Sequence, residues 1–180
     1  MATVNLLPNA DVSNDWTINS GSDVFEMINE DSATKAVSDS SRVYTTSAGD
    51  EFKVEFTDFT EDHSSIDSIQ VVLRTAVNAR GATYVMRTSL TSETTPAQMY
   101  YAENSSTQSG SATYKTISYT SRTTSDGSAA WTNSQLNNIR LIVEADAIST
   151  GTCHCTYAYI IVTYTEPTGT DNATFFGCNF

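Results

Sequence analysis

Cys153-His154-Cys155, together with Cys178, is the densest set of metal-binding and nucleophilic side-chain types in this 180-residue chain. Three thiols and an imidazole are the ligand types of a structural zinc site. The spacing argues against one. On a strand, positions 153 and 155 point to one face and His154 to the other, and Cys-x-Cys lacks the usual spacer of about two to four residues. The pair reads first as small side chains where a strand begins, and second as part of a disulfide or thiol cluster with Cys178 or with a neighbouring subunit. No metal and no cofactor is expected. His63 lies beside Asp62, Ser64 and Ser65, the residue types of a hydrolase triad. Neighbours in sequence rarely reach the geometry in which one base contacts both a nucleophile and an orienting acid, and no Gly-x-Ser-x-Gly elbow supports it. Cleavage of sugars needs two carboxylates facing one cleft, and acids are so plentiful here that no pair stands out. The chain is expected not to be an enzyme.

The acids themselves exclude partners. Asp and Glu number 21 against 9 Lys and Arg, a formal charge of −12. Phosphate backbones and anionic membranes are bound by basic patches, so neither nucleic acid nor membrane is expected as a partner. Residues 1–67 carry 14 of the acids and 3 of the bases, a net of −11, so the acidity is concentrated at one end. It reads as a solvated face. Asp11, Asp15, Glu30-Asp31 and Glu61-Asp62 are oxygen donors of the type Ca²⁺ takes, but the spaced calcium loop with its glycine and closing glutamate is absent. No apolar stretch of signal type opens the chain, which predicts a protein made in a cytosol.

Partner binding is expected at the ends. Phe175, Phe176 and Phe180 follow the polar run Glu166-Pro167-Thr168-Gly169-Thr170-Asp171. Such a cluster must fold back on its own domain or dock on a partner, because left in water it is an exposed apolar patch. Leu6 and Leu7, before Pro8, repeat the pattern at the other end.

The elements that must position these residues are strands. The chain holds 28 Thr and 23 Ser with 9 Tyr, and only 3 Lys, a composition suited to pleated, half-buried surfaces rather than helices. Residues 51–59 alternate, with Phe52, Val54 and Phe56 on one face and Lys53, Glu55 and Thr57 on the other. Residues 155–165 alternate over a longer span, with Tyr157, Tyr159, Ile161 and Thr163 opposite Ala158, Ile160, Val162 and Tyr164. Further strands are predicted at 24–29, 42–46, 66–77, 83–90, 98–102, 114–120 and 139–145. Asn78-Ala79-Arg80-Gly81 reads as a hairpin connection and residues 131–138 as a single helical turn. Many short strands with frequent turn signals indicate a sandwich or barrel. The expected fold is all-β, an antiparallel β-sandwich of jelly-roll type over residues 21–165. An N-terminal arm at 1–20 and a C-terminal tail at 166–180 are expected outside it.

The order Trp131-Thr132, a turn ending in Leu136-Asn137-Asn138, the strand Ile139-Arg140-Leu141-Ile142-Val143-Glu144, and Tyr157-Ala158-Tyr159-Ile160-Ile161-Val162-Thr163-Tyr164 resembles the closing part of β-sandwich structural proteins of tailed-phage virions. Capsid decoration, or cement, proteins are among them. The match covers about a quarter of the chain. The resemblance implies a non-enzymatic virion protein, assembled in the host cytoplasm, that stabilises the capsid through its sandwich and arms. Its partners would be the major capsid protein or copies of itself, as a homo-oligomer such as a trimer. Similar endings occur in carbohydrate-binding sandwiches. The alternative is therefore a glycan-binding module or receptor-binding fibre domain, using Tyr100, Tyr101, Tyr114 and Trp131.

Overall fold

The computed structural model describes residues 1–30, 39–93, 99–105, 108–109, 113–125 and 129–168. Two sheets pack face to face as an antiparallel β-sandwich of jelly-roll type. In chain order the elements are β1 (Ala2–Leu6), β2 (Pro8–Asn14), β3 (Thr17–Ile18), α1 (Val24–Ile28), β4 (Val43–Thr45), β5 (Glu51–Phe56), β6 (Ser65–Val77) and β7 (Thr83–Ser92). They continue with β8 (Met99–Asn104), β9 (Gln108–Ser109), β10 (Lys115–Ser118), β11 (Thr124–Ser125), β12 (Ala129–Ala130), α2 (Asn133–Leu136), β13 (Ile139–Ile148) and β14 (Cys153–Thr165). One sheet runs β10-β6-β14-β4-β3, with β1 also paired to β14; the other runs β2-β5-β13-β7-β8, with β9 paired to β7. No described helix is long and apolar enough to cross a membrane.

Period-2 patterning explains the core. Phe52 and Val54 of β5, Val71 and Leu73 of β6, Leu141 and Val143 of β13, and Ala158, Ile160 and Val162 of β14 are fully or almost fully buried between the sheets. Trp16 closes one end of this layer edge-on to Phe52, with ring centroids 5.2 Å apart. Trp131 and Tyr100 meet in the same way at 5.3 Å, and the Trp131 indole N–H donates to the Arg122 carbonyl.

The structure corrects three expectations. Residues 2–18 are not an arm. β1 pairs along β14 from Ala2↔Tyr164 to Leu6↔Ile160, and β2 pairs with β5. Residues 24–28 form a helical turn rather than a strand, because a distant carboxylate satisfies its first amides. Asp11 Oδ2 accepts from Val24 N at 2.6 Å and Oδ1 from Phe25 N at 2.8 Å, bonds that the free end of a helix lacks. The third concerns residues 78–81. They do not close a hairpin, since β6 and β7 lie in opposite sheets. The single helical turn expected at 131–138 is present as α2, where Thr132 and Gln135 form a reciprocal capping box. Of the tail, residues 169–180 lie outside the described residues, and with them Phe175, Phe176, Cys178 and Phe180.

Three sheet-to-sheet crossings gather at one end of the sandwich: β4 to β5, β6 to β7 and β13 to β14. Each turns on a glycine with positive φ, Gly49, Gly81 and Gly151 respectively. Gly151 is the tightest, at φ +84°, and a methyl group there would come within 2.6 Å of Ala79 Cβ. Beside it, Thr152 N donates to Asn78 Oδ1 and Asn78 N to the Thr152 carbonyl, tying the second crossing to the third. Gly151→Ala combines a left-handed backbone with a clash and is expected to cost about 1–3 kcal/mol. Gly49→Ala has the backbone term but open space around its Cβ. Urea denaturation of the two variants checks the order: Gly151→Ala should be the less stable.

Candidate ligand-binding site

β14 changes the face that its odd-numbered residues present. Cys155 pairs with Thr75 and Tyr157 with Arg74, so Thr156 is the extra residue of a β-bulge. Before the bulge Cys153 and Cys155 point inward and His154 outward; after it Ala158 and Ile160 point inward and Tyr157 and Tyr159 outward. His154, Tyr157 and Tyr159 therefore share the outer face of the first sheet. β4 adds Tyr44 directly across from His154, with Val43 and Thr45 buried on either side. Tyr114, just before β10, completes the group.

The rings form one contact series. Tyr44 meets His154 edge-on at 6.0 Å, and Tyr114 lies 6.1 Å from His154 on another side. The guanidinium of Arg74 lies 5.6 Å from the Tyr114 ring centre and is held by a two-pronged ion pair with Asp39, at 2.8 and 2.9 Å. Arg42 hydrogen-bonds the Tyr114 phenol, and that phenol lies 3.1 Å from His154 Nδ1. Burial, then the nearby Arg42 charge, lowers the His154 pKa to about 4, so the imidazole is neutral at pH 7. Burial raises the Tyr114 pKa, so the phenol keeps its proton. A guanidinium only donates, which leaves the phenol hydrogen free to donate to Nδ1. In this arrangement His154 carries its own proton on Nε2.

Beside this series is a recess of about 200 Å³ lined by Asn19, Arg42, Tyr44, Asn78, Thr152 and His154. Two amides, a hydroxyl, a phenol, an imidazole and a guanidinium converge there. All are mounted on rigid backbone: Asn78 and Thr152 belong to the locked crossings, and Asn19 N donates to the Arg42 carbonyl while its side chain donates to that of Ser40. The arrangement can accept and donate several hydrogen bonds against an aromatic edge. It offers no nucleophile paired to a base.

A second recess of about 120 Å³ includes Asn9, Glu55, Asp58, Glu93, Asn137 and Arg140. Glu55 and Glu93 both accept from Arg140 Nη2, at 2.6 and 3.0 Å. These carboxylates are engaged with one guanidinium rather than facing each other across an open cleft. Among the described residues no group of three or more His, Cys, Asp or Glu side chains is placed to hold a metal ion.

The residues singled out in the sequence are dispersed. Cys153 and Cys155 are free thiols buried in the core. Burial pushes the Cys153 thiol up to about 12 and raises that of Cys155 as well, so both are inert at neutral pH. Among the described residues neither joins a disulfide, and Cys178 lies outside them. Leu6 is 2% exposed in the chain's own core, which removes it as an anchor for a partner. Leu7 packs outside the sandwich against Val72, Tyr157 and Tyr159. Trp131 and Tyr100 are buried, at 4% and 8% exposure, so they present no platform to a sugar. The Tyr101 side chain lies outside the described residues. Tyr114 does not line the recess but contacts His154, which does. His63 Nδ1 contacts the Glu61 carbonyl at 2.8 Å, and Ser64 Oγ donates to the Thr165 carbonyl, so no triad forms. Asp11 caps α1, and Glu30 is buried. Tyr44, Arg42, Asn19, Asn78 and Thr152 were not singled out. Their only sequence signal is an aromatic at the centre of a short alternating strand and polar residues beside turn glycines.

No protein-family model matches the sequence, and comparison with curated proteins finds no match. Solved structures of similar architecture include carbohydrate-binding modules (CBM). One is a CBM4 structure, 11% identical, with a TM-score of 0.45 over 71% of this chain and 74% of that one. Another is a truncated AlyQ with CBM32 and alginate lyase domains, 14% identical, TM-score 0.47, covering 94% of this chain and 36% of that one. A third is the xylan-binding module CBM15, 14% identical, TM-score 0.37, over 92% and 99%. At these identities no residue role transfers.

Proposed function

We propose that this chain is a non-enzymatic binding module whose ligand is a carbohydrate, held in the recess beside Tyr44 and His154. The observation that carries the reading is the lining itself. A sugar presents hydroxyls that donate and accept in several directions and C–H faces that pack on rings. The recess offers Asn19, Asn78 and Thr152 for the former and the Tyr44 ring for the latter, on backbone fixed by two crossings. A polar site that is organised before binding loses little entropy on ordering.

The capsid-decoration reading depended on terminal anchors. Leu6 is buried within the chain, and the three tail phenylalanines lie outside the described residues; the polar recess is what favours the glycan reading. A receptor-binding fibre domain would use the same recess. The test is a glycan array probed with the folded chain, followed by calorimetry on the best ligand with wild type and Tyr44→Ala. We expect array binding, and at least a tenfold loss of affinity in Tyr44→Ala, about 1.4 kcal/mol. Unaltered affinity in that variant would remove the recess as the site. An array without any bound glycan would remove the function.

A further inference from the structure

The recess lining contains one formally charged group, and it is positive. In a chain of net charge −12, the described residues that line the site, Asn19, Arg42, Tyr44, Asn78, Thr152 and His154, include no carboxylate. Asp39, three residues before Arg42, has both carboxylate oxygens engaged by Arg74. Arg42 forms none of the ion pairs found among the described residues. Its guanidinium donates to the Tyr114 phenol, a neutral group, and its Nη1 reaches the Asp39 carbonyl at a long 3.4 Å. Its Nε is shut away from solvent without a hydrogen-bond partner. A buried donor left unmade is costly, and such groups in native structures call for a reason. His154, held neutral, does not compete for an anion.

We infer that the recess selects an anionic sugar, with a uronic-acid carboxylate received by the Arg42 guanidinium and the ring lying against Tyr44. The inference rests on the glycan reading above and narrows its ligand class. A planar carboxylate matches the guanidinium fork, and the amides of Asn19 and Asn78 and the Thr152 hydroxyl remain for the sugar's own hydroxyls. Because the rest of the molecule is acidic, long-range attraction cannot supply this preference; it has to come from contact with Arg42. Exposed charges are screened beyond about 8 Å at physiological salt, whereas a contact pair is much less affected. The preference therefore persists at 0.15 M salt, on the order of a cellular buffer.

The test titrates the full chain by calorimetry with oligogalacturonate, oligoglucuronate, oligomannuronate and oligoguluronate, each beside its carboxyl-reduced neutral counterpart. We expect at least one acidic oligosaccharide to bind about tenfold or more tightly than its reduced form, the size of one charged hydrogen bond. Arg42→Gln should remove that difference, so that acidic and neutral forms bind the folded variant alike. Arg42→Lys, which keeps the charge but not the fork, should retain part of it, and thermal melts confirm that both variants are folded. Equal affinity for acidic and neutral forms overturns this inference and leaves the glycan reading standing. A preference that survives in folded Arg42→Gln assigns the anion to another group and also overturns it. Absence of binding to any glycan, acidic or neutral, overturns both.

Discussion

Phe52→Ala is expected to destabilise the fold by about 3–5 kcal/mol. Phe52 is fully buried on the inner face of β5 and has Trp16 edge-on at 5.2 Å. Truncation removes the transfer energy of the ring and leaves a cavity that two hydrogen-bonded sheets cannot easily collapse. Domains of this size have about 5–15 kcal/mol in total, so a large share of the stability is lost. Lys53→Ala, one residue along on the outer face, should change stability by less than about 0.5 kcal/mol. Urea denaturation followed by tryptophan fluorescence measures both, with Trp16 reporting beside the mutated ring. The double variant with Trp16→Ala should lose less than the sum of the singles, because an aromatic pair contributes about 0.5–1.5 kcal/mol beyond its buried area. A Phe52→Ala cost below about 1 kcal/mol would contradict the packing described.

Acid should weaken the protein through His154. Its pKa falls from 6.5 to about 4 on folding, because burial and then the Arg42 charge disfavour the imidazolium. Between those values the unfolded chain takes up a proton that the folded chain refuses. The His154 contribution is therefore complete above about pH 6.5, is lost as the pH falls towards 4, and does not change further below that. The full shift corresponds to about 3 kcal/mol. The ring is only half-buried, so solvent screening reduces the expected loss to about 1–2 kcal/mol. Stability measured in urea at steps from pH 7.5 to 4 should show this decline, and His154→Gln should flatten it over the same window. A wild-type profile that matches the His154→Gln profile would contradict the buried neutral imidazole.

The architecture was legible because it depends on period-2 patterning. Phe52, Val54 and Phe56 face the core as their alternation predicts, and the opposed faces of residues 157–164 are as the sequence divides them. The cap of α2 was legible too, since Thr132 and Gln135 are local to one another. What stayed hidden depends on contacts distant in sequence. α1 forms because Asp11, 13 residues from Val24, accepts its amide. The turn at residues 78–81 has hairpin chemistry, but nothing local says whether the chain re-enters the same sheet or crosses to the other. The bulge at Thr156 decides that His154 and Tyr157 share a face, and a bulge leaves no mark on an alternating pattern. The recess inherits all of this. Tyr44 and His154 are brought together by pairing across 110 positions, and Asn78 meets Thr152 only because two crossings stack on Gly151. Trp131 and Tyr100, prominent as residue types, are buried because the sandwich needs rings at its end.

The claim on which the account turns is that this recess is where ligand binds. The direct measurement is a two-dimensional amide NMR titration of the folded chain with the tightest-binding glycan. The shifts should concentrate on Asn19, Arg42, Tyr44, Asn78, Thr152 and His154, with the Asn78 side-chain amide and the Asn78 and Thr152 backbone amides among the largest. The amides of Glu55, Glu93 and Arg140 should stay in place. Shifts centred on the Glu55–Arg140 recess, with Tyr44 and His154 unmoved, would contradict it.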